Sequence, residues 1–119
     1  THSETVRRRL PNRRQNETFE VKTDGQTYAI TLGYYSGGNQ VGEIFIACGK
    51  VGSQLDGVLA DAAILASRCL QAGMSAGEIA QSMSRLPCAP FEPPVEPASP
   101  IGAALDLAAK FERPEAVAG

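Results

Sequence analysis

The sequence has a single histidine, His2, and only three cysteines, Cys48, Cys69 and Cys88. An odd number of cysteines with no C-x-x-C pair argues against both a disulfide framework and a zinc site. Since His2 lies in an arginine-rich stretch, no Cys-His or Ser-His pair for nucleophilic catalysis can be assembled from the body of the chain. We therefore predict no catalytic residue, no metal site and no cofactor, and reduced cysteines in a cytoplasmic protein.

Long apolar runs are also absent, because no stretch approaches the ~18 to 20 continuous apolar residues of a membrane-spanning helix. The 119 residues, of which 43% are hydrophobic and 20% charged, suit one compact domain with extensions. We therefore predict no insertion into a membrane.

Basic residues are concentrated in one part of the sequence. Residues 1–14 hold five arginines and one glutamate, a balance of +4, whereas the remainder holds six basic and twelve acidic residues, a balance of −6. We predict that residues 1–16 form a basic arm that docks on phosphate or on an acidic surface, with a disordered tail as the alternative. The arginines of this arm are Arg7, Arg8, Arg9, Arg13 and Arg14.

Three segments have the patterns of β-strands. At residues 17–23, Phe19 and Val21 alternate with charged side chains, and Asp24-Gly25 then supplies the positive backbone angles of a hairpin turn. Residues 26–35 are predicted to follow as a central strand. Residues 41–48 are predicted to be the third strand after a glycine-containing connection.

The third strand is apolar on both faces, which predicts an assembly. Its side chains divide by alternation into two sets, Val41, Phe45 and Ala47 on one face and Ile44, Ile46 and Cys48 on the other. A single layer of helices covers only one face of a sheet, so the other face needs a second cover. We therefore predict a homo-oligomer, preferably a dimer, with interface residues Tyr35, Ile44, Phe45 and Ile46.

Two helices are predicted after this strand. Ser53 with Asp56, and Ser75 with Glu78, resemble capping boxes that open them. Intervals of three and four predict one inward face of the first helix, formed by Leu55, Val58, Leu59, Ala62, Ala66, Cys69 and Leu70. The second helix is shorter and is expected to turn Ile79, Met83 and Leu86 inward.

The predicted fold is α+β, a three-stranded antiparallel meander followed by two helices packed on one face. Six of the eight prolines fall at residues 87–100, which predicts a polyproline-like strap. Residues 101–112 predict a short amphipathic helix that docks on this domain, on a sister subunit or on a partner. The predicted divisions are a basic arm at 1–16, an α+β domain at 17–86, the strap at 87–100, and a helix and tail at 101–119.

One glycine-rich turn is a candidate binding motif. Gly49-Lys50-Val51-Gly52-Ser53 combines close backbone approach, the free amides of a helix start and a positive charge, which together favour a phosphate. The order of residues in a P-loop is absent, and a tight strand-to-helix turn is the structural alternative. Candidate phosphate or partner contacts are Lys50, Gly52, Ser53 and the five arginines of the arm. Glu43 needs a partner in its apolar strand, such as a helix amide, Lys50 or an arginine of the arm.

The same stretch resembles a known family. Gly42-Glu43-Ile44-Phe45-Ile46 followed by the Gly49 to Ser53 turn and a long helix is similar to the TSCPD domain, found at the C-terminal end of adenosylcobalamin-dependent (class II) ribonucleotide reductases and as small free-standing proteins. Arg9-Leu10-Pro11 to Arg14 resembles the segment that joins the reductase barrel to that domain. The resemblance covers about residues 7–91. The pentapeptide that names the family keeps only its cysteine, Cys88, and the proline-rich extension has no recognised counterpart.

The resemblance implies a module rather than an enzyme, since the radical cysteine, the reducing pair and the cobalamin site of the reductase lie in a barrel that this sequence lacks. It implies an interaction or regulatory role through protein-protein contact, with a ribonucleotide reductase or another protein complex as the partner. The alternative is a nucleotide-binding or nucleic-acid-binding module that uses Lys50, the Gly52-Ser53 turn and the arginine arm, with affinity that falls steeply with salt.

Overall fold

The structure is a computed structural model that describes residues 15–23, 25–35, 40–48, 53–87 and 89–112. The first three strands form an antiparallel sheet in sequence order, and the fourth and fifth strands form a separate two-stranded ribbon. The predicted α+β class, with its three-stranded meander followed by helices, is confirmed. The elements are β1 (Asn16–Thr23), β2 (Gln26–Tyr34), β3 (Val41–Cys48), α1 (Gln54–Gln71), α2 (Ala76–Gln81), β4 (Arg85–Pro87), β5 (Pro94–Pro97) and α3 (Pro100–Phe111).

The sheet buries one face and leaves the other open. Ile30 and Leu32 of β2 are fully buried, and the register sets them beside Ile46 and Ile44 of β3. The opposite face is largely polar. On this face the hydroxyl oxygens of Thr18 and Thr31 lie 2.9 Å apart. Alternation of apolar and polar residues therefore directs one side of the meander into the core, as expected for a half-buried sheet.

Helix α1 packs on this buried face through a stripe that overlaps the predicted one in part. The Oγ of Ser53 caps the helix by accepting from the Asp56 amide at 3.1 Å. The predicted inward residues Leu55 and Val58 are 47% and 58% exposed, so this part of the prediction is wrong. The buried residues of the helix are Leu59, Ala63, Ala66 and Leu70, and for Leu59, Ala66 and Leu70 the prediction is confirmed.

Hydrogen bonds to the edge of the sheet explain the rotation of α1. The backbone amide of Ile44 donates to the Oγ of Ser67 at 2.9 Å, and the Nε2 of Gln71 donates to the carbonyl of Gly42 at 3.0 Å. These contacts cover the outer backbone groups of the edge strand β3, which would otherwise lie unpaired. They fix which side of α1 faces the strand.

Helix α2 has the predicted start and an earlier end. The Ser75 amide donates to Glu78 at 2.9 Å, and the Glu78 amide donates to the Oγ of Ser75 at 3.1 Å, which completes the capping box. Leu86, predicted to face inward from this helix, instead lies in β4 and is 56% exposed. Pro87 disfavours a helical conformation at Leu86, which gives the reason for the correction.

The proline-rich segment forms the β4-β5 ribbon, anchored by Arg85. The guanidinium makes a two-pronged contact with the Asp106 carboxylate, with Nη1 and Nη2 at 2.7 and 2.6 Å from its oxygens. It also donates to the carbonyls of Val95 and Ala80, at 3.1 Å each. One side chain therefore ties both strands of the ribbon to α2 and α3. Proline is tolerated here because every strand of a two-stranded ribbon is an edge.

Helix α3 docks on this domain, which was one of the predicted alternatives. Its buried face is formed by small residues and one large one, since Ala104, Leu105 and Ala108 are at most 1% exposed. The ring of Phe111 stacks on that of Phe19 in β1, with centroids 5.0 Å apart. The helix therefore covers part of the sheet face that α1 leaves open.

The end of α3 also caps the start of α2. The Glu112 carboxylate accepts from the Ala76 amide at 3.1 and 3.2 Å. Burial raises the pKa of Glu112 above its ordinary value of 4.5, the Ala76 and Gly77 amides lower it in part, and Glu78 raises it. Because the folded chain then holds this proton more tightly than the unfolded chain, the group stabilises the fold below pH 4.5 and loses that contribution as the pH rises through the raised pKa.

Comparison with Glu112→Gln isolates this effect, since glutamine keeps an acceptor oxygen for Ala76 but does not titrate. Wild type is expected to gain stability relative to Glu112→Gln as the pH falls from neutral toward 4.5. Urea unfolding of both proteins at the two pH values measures the difference. A loss relative to the variant on acidification would mean that the two amide hydrogen bonds outweigh burial at this carboxylate.

Candidate functional site

The predicted phosphate motif is described only at its last residue, Ser53. The Oγ of Ser53 acts as the cap of α1, and the Asp56 carboxylate lies in the first turn of the helix. That carboxylate also accepts from the Sγ of Cys48 at 3.6 Å. A negative charge there already complements the positive end of the helix dipole, which favours a structural turn. The remaining predicted contacts lie outside the described residues: Lys50, Gly52, Arg7, Arg8, Arg9, Arg13 and Arg14.

The four predicted interface residues do not lie together. Ile44, Ile46 and Tyr35 are buried within the chain, at 1%, 6% and 3% exposure, whereas Phe45 is 51% exposed on the open face of the sheet. Val41, predicted to share the face of Phe45, is buried as well. The register shifts between Gly33 and Tyr34, so that Tyr34 pairs with Val41 and Gly42 is the extra residue. Such a bulge reverses the alternation and turns Val41 toward the core.

A groove of about 420 Å³ runs between β3 and α1. Phe45 and Ile64 contribute its most exposed apolar surface, at 51% and 53% exposure. Its polar lining comes from Glu43, Ser67, Arg68 and Gln71. A single carboxylate and a mostly apolar lining offer hydrophobic contact rather than acid-base chemistry.

Glu43 is a buried residue that lines this groove, and its side chain packs over Gly33. Glu43 pairs with Gly33 across the strands and is only 7% exposed. A Cβ at Gly33 would lie 2.6 Å from the Cγ of Glu43 and 3.1 Å from the Oδ1 of Asn16. The absence of a side chain at Gly33 therefore makes room for the carboxylate that the sequence places inside an apolar strand.

The most exposed apolar side chain is at the turn of the ribbon. Phe91 is fully exposed, and its φ of 71° is the only positive value among non-glycine residues of the described chain. The Glu92 amide donates to the carbonyl of Ala89 at 3.1 Å, and Pro90 precedes Phe91, as in a type II turn. The third position of that turn favours glycine, and a side chain there costs about 1–2 kcal/mol.

Two further apolar side chains of the ribbon are exposed, Leu86 at 56% and Val95 at 59%. The sequence patterns did not predict these exposed apolar side chains. Cys88 was the one residue singled out in this segment, and it lies outside the described residues. The signal available was a phenylalanine between prolines, without the periodicity that places an aromatic residue in a core.

The described residues hold neither an arranged group of metal ligands nor a helix that could span a membrane. No group of three or more His, Cys, Asp or Glu side chains in that part of the chain is arranged to hold a metal ion. None of the described helices combines the length and the apolar character needed to cross a bilayer.

Comparison with known proteins gives one finding. The family model of the TSCPD domain matches residues 4–110. The match is longer than the predicted 7–91, so the ribbon and nearly all of α3 belong to the domain, which corrects the expectation that the proline-rich extension has no counterpart. No match was found among curated proteins or among solved structures.

Proposed function

Because this chain belongs to the TSCPD domain family, we propose that it is a non-catalytic interaction or regulatory module that acts by protein-protein contact. It resembles the terminal domain of adenosylcobalamin-dependent ribonucleotide reductases, and the proposed partner is such a reductase. The observation that carries the proposal is Phe91, held fully exposed in a strained backbone at the turn of the ribbon. These 119 residues are also too few for the catalytic barrel of a reductase.

The exposure of Phe91 favours a contact with a protein. Aromatic side chains dominate the binding energy of protein interfaces when they enter a desolvated pocket. A backbone conformation that disfavours any side chain supports a role for that side chain outside the fold. Leu86 and Val95 are exposed on the same ribbon and offer further apolar side chains to a partner.

The negative charge beside Phe91 indicates which charge the partner surface should carry. Glu92 follows Phe91 and is exposed, and Arg85 of the same ribbon is engaged by Asp106. An apolar pocket with a rim of lysine or arginine therefore complements the turn, because opposite charges across an interface steer association.

The test is binding of the chain to a purified adenosylcobalamin-dependent ribonucleotide reductase whose own terminal domain has been removed. Phe91→Gly is expected to weaken binding at least tenfold, since it removes an interface aromatic residue. The same change suits the positive φ, so thermal stability is expected to be unchanged or higher. Phe91→Tyr, which keeps the ring, is expected to bind nearly as well as wild type.

The control is Ile64→Ala, which removes a half-exposed apolar side chain from the groove between β3 and α1. It should leave reductase binding unchanged. Absence of binding by the wild-type chain contradicts the proposed partner. Binding that Ile64→Ala weakens and Phe91→Gly does not would assign the contact to the groove instead.

Phosphate binding is the alternative function, and the balance of +4 in residues 1–14 favours it. It would use Lys50, the Gly52-Ser53 turn and the arginines of the arm. Nucleotides and single-stranded oligonucleotides in the same assay distinguish it. Binding that falls steeply with salt and is indifferent to Phe91→Gly would favour this alternative over protein contact.

A further inference from the structure

Helix α1 carries a second apolar stripe, which does not face the sheet. Its three large residues are the exposed ones, with Leu55 at 47%, Val58 at 58% and Leu65 at 67%. Intervals of three, four, three and four residues separate its members, which is the pattern of a coiled-coil seam. We call this stripe the α1 seam, formed by Leu55, Val58, Ala62, Leu65 and Cys69.

Apart from Cys69, which is partly buried and also packs against the core, the α1 seam is separate from the surfaces that α1 already uses. At ~100° per residue, its centre lies about 90° around the helix from the buried stripe of Leu59, Ala63, Ala66 and Leu70. Ser67 and Gln71, which bind the edge of β3, lie on the opposite flank. A partner helix along the seam therefore need not displace the sheet.

We propose that the α1 seam is the interface of a homodimer, in which α1 packs antiparallel against α1 of a second copy. The inference goes beyond the proposed function, since it adds a second contact surface with another copy of this chain as its occupant. A two-fold interface must be complementary to itself. An antiparallel register that opposes Ala62 to Leu65 also opposes Val58 to Cys69, so that a small side chain faces a larger one in each layer.

The charges that flank the seam fit the same register. Asp61 and Arg68 are both exposed, and within the described part of the chain neither takes part in an ion pair. They are seven residues apart, roughly 10 Å along the helix, which is too far for a contact within one copy. The antiparallel register sets Asp61 of one copy beside Arg68 of the other, and symmetry repeats the pair.

This charge complementarity selects a second copy as the occupant. A parallel arrangement would oppose identical residues at each layer of the seam and lose the match of small with large side chains. The contact is limited to one helix about 27 Å long, and we expect it to bury less than the roughly 1,200–2,000 Å² of a standard interface. A dimer of micromolar affinity is therefore expected.

Sedimentation equilibrium of the purified chain, from micromolar to several hundred micromolar, tests the interface. Wild type is expected to dimerise. Leu65→Glu is expected to remain monomeric, because each copy would place one carboxylate near the centre of the apolar interface. Asp61→Arg is expected to weaken dimerisation at least tenfold. Adding Arg68→Asp to that variant should restore dimerisation, a rescue that a general loss of folding would not give.

The matched control is Ile64→Glu, next to Leu65 in sequence and similarly exposed but on the groove side of the helix. It is expected to leave the dimer intact. A wild-type chain that stays monomeric throughout overturns the proposal. So does a dimer that Phe45→Glu dissociates and Leu65→Glu does not, since this would place the interface on the open face of the sheet.

The outcome is independent of the test of protein contact with a reductase. Phe91→Gly is expected to dimerise as wild type does, and Leu65→Glu is expected to keep its binding to the reductase. Loss of the dimer with retained reductase binding would therefore overturn only the inference about α1.

Discussion

Leu105→Ala in α3 is expected to lower the free energy of unfolding by about 2–5 kcal/mol, the range for truncation of a buried leucine. Leu105 is 1% exposed, with Ala104 and Ala108 buried on either side. Its side chain is the largest fully buried one in a helix that otherwise contacts the core through small residues. Small neighbours leave little means of filling the space that truncation would open.

Urea unfolding measures this change, with Lys110→Ala as the control in the same helix. Lys110 is exposed, and its truncation is expected to change the free energy of unfolding by no more than about 0.5 kcal/mol. A similarly small effect of Leu105→Ala would mean that α3 contributes little to the core. The expected loss would make α3 a structural part of the domain, in agreement with the family match to residue 110.

Local patterns were sufficient to predict the starts of the helices and the course of the sheet. Alternation at Phe19 and Val21 identified β1, and the polar residues at Ser53 and Ser75 identified the caps of α1 and α2. These signals act through neighbouring residues, so a single sequence contains them in full.

The rotation of α1 was not predictable in the same way. Apolar residues extend around more than half of the helix, and period alone does not choose which part faces the sheet. The choice depends on Ser67 and Gln71, which bind the backbone of a strand more than twenty residues away in sequence. The bulge at Gly42 has a similar cause, since pairing with β2 decides whether Val41 faces inward.

The candidate contact surface was missed for a different reason. Phe91 has no partner within its turn to produce a pattern, and its position depends on a ribbon whose strands are anchored by Arg85 and Asp106. That ion pair joins residues 21 positions apart. The glycine-rich turn shows the opposite case. Its local composition predicts a phosphate site, whereas its described end, Ser53, is a helix cap.

Both the local sequence and the pairing of distant residues are needed to explain how Glu43 is buried. The sequence predicts that Glu43 needs a partner within its apolar strand, and the structure adds that the missing side chain at Gly33 gives the carboxylate room. Gly33→Ala is expected to lower the free energy of unfolding by about 1–3 kcal/mol, the usual range for overpacking. The clash falls on the Cγ and the Oε2 of Glu43, at 2.6 and 2.7 Å, and the Cγ is near the backbone and has little freedom to move away.

The same substitution in a Glu43→Ala background is expected to be neutral or stabilising by about 0.5–1 kcal/mol, because glycine is unfavourable within a strand once no side chain requires it. A double-mutant cycle by urea unfolding measures the coupling. Gly57→Ala is the control, since its Cβ position has no atom within 4 Å other than those of its chain neighbours and of the adjacent backbone of α1, and a gain in stability is expected. An equal penalty for Gly33→Ala in both backgrounds would place the constraint in the backbone, and a change of sign would place it in the buried carboxylate.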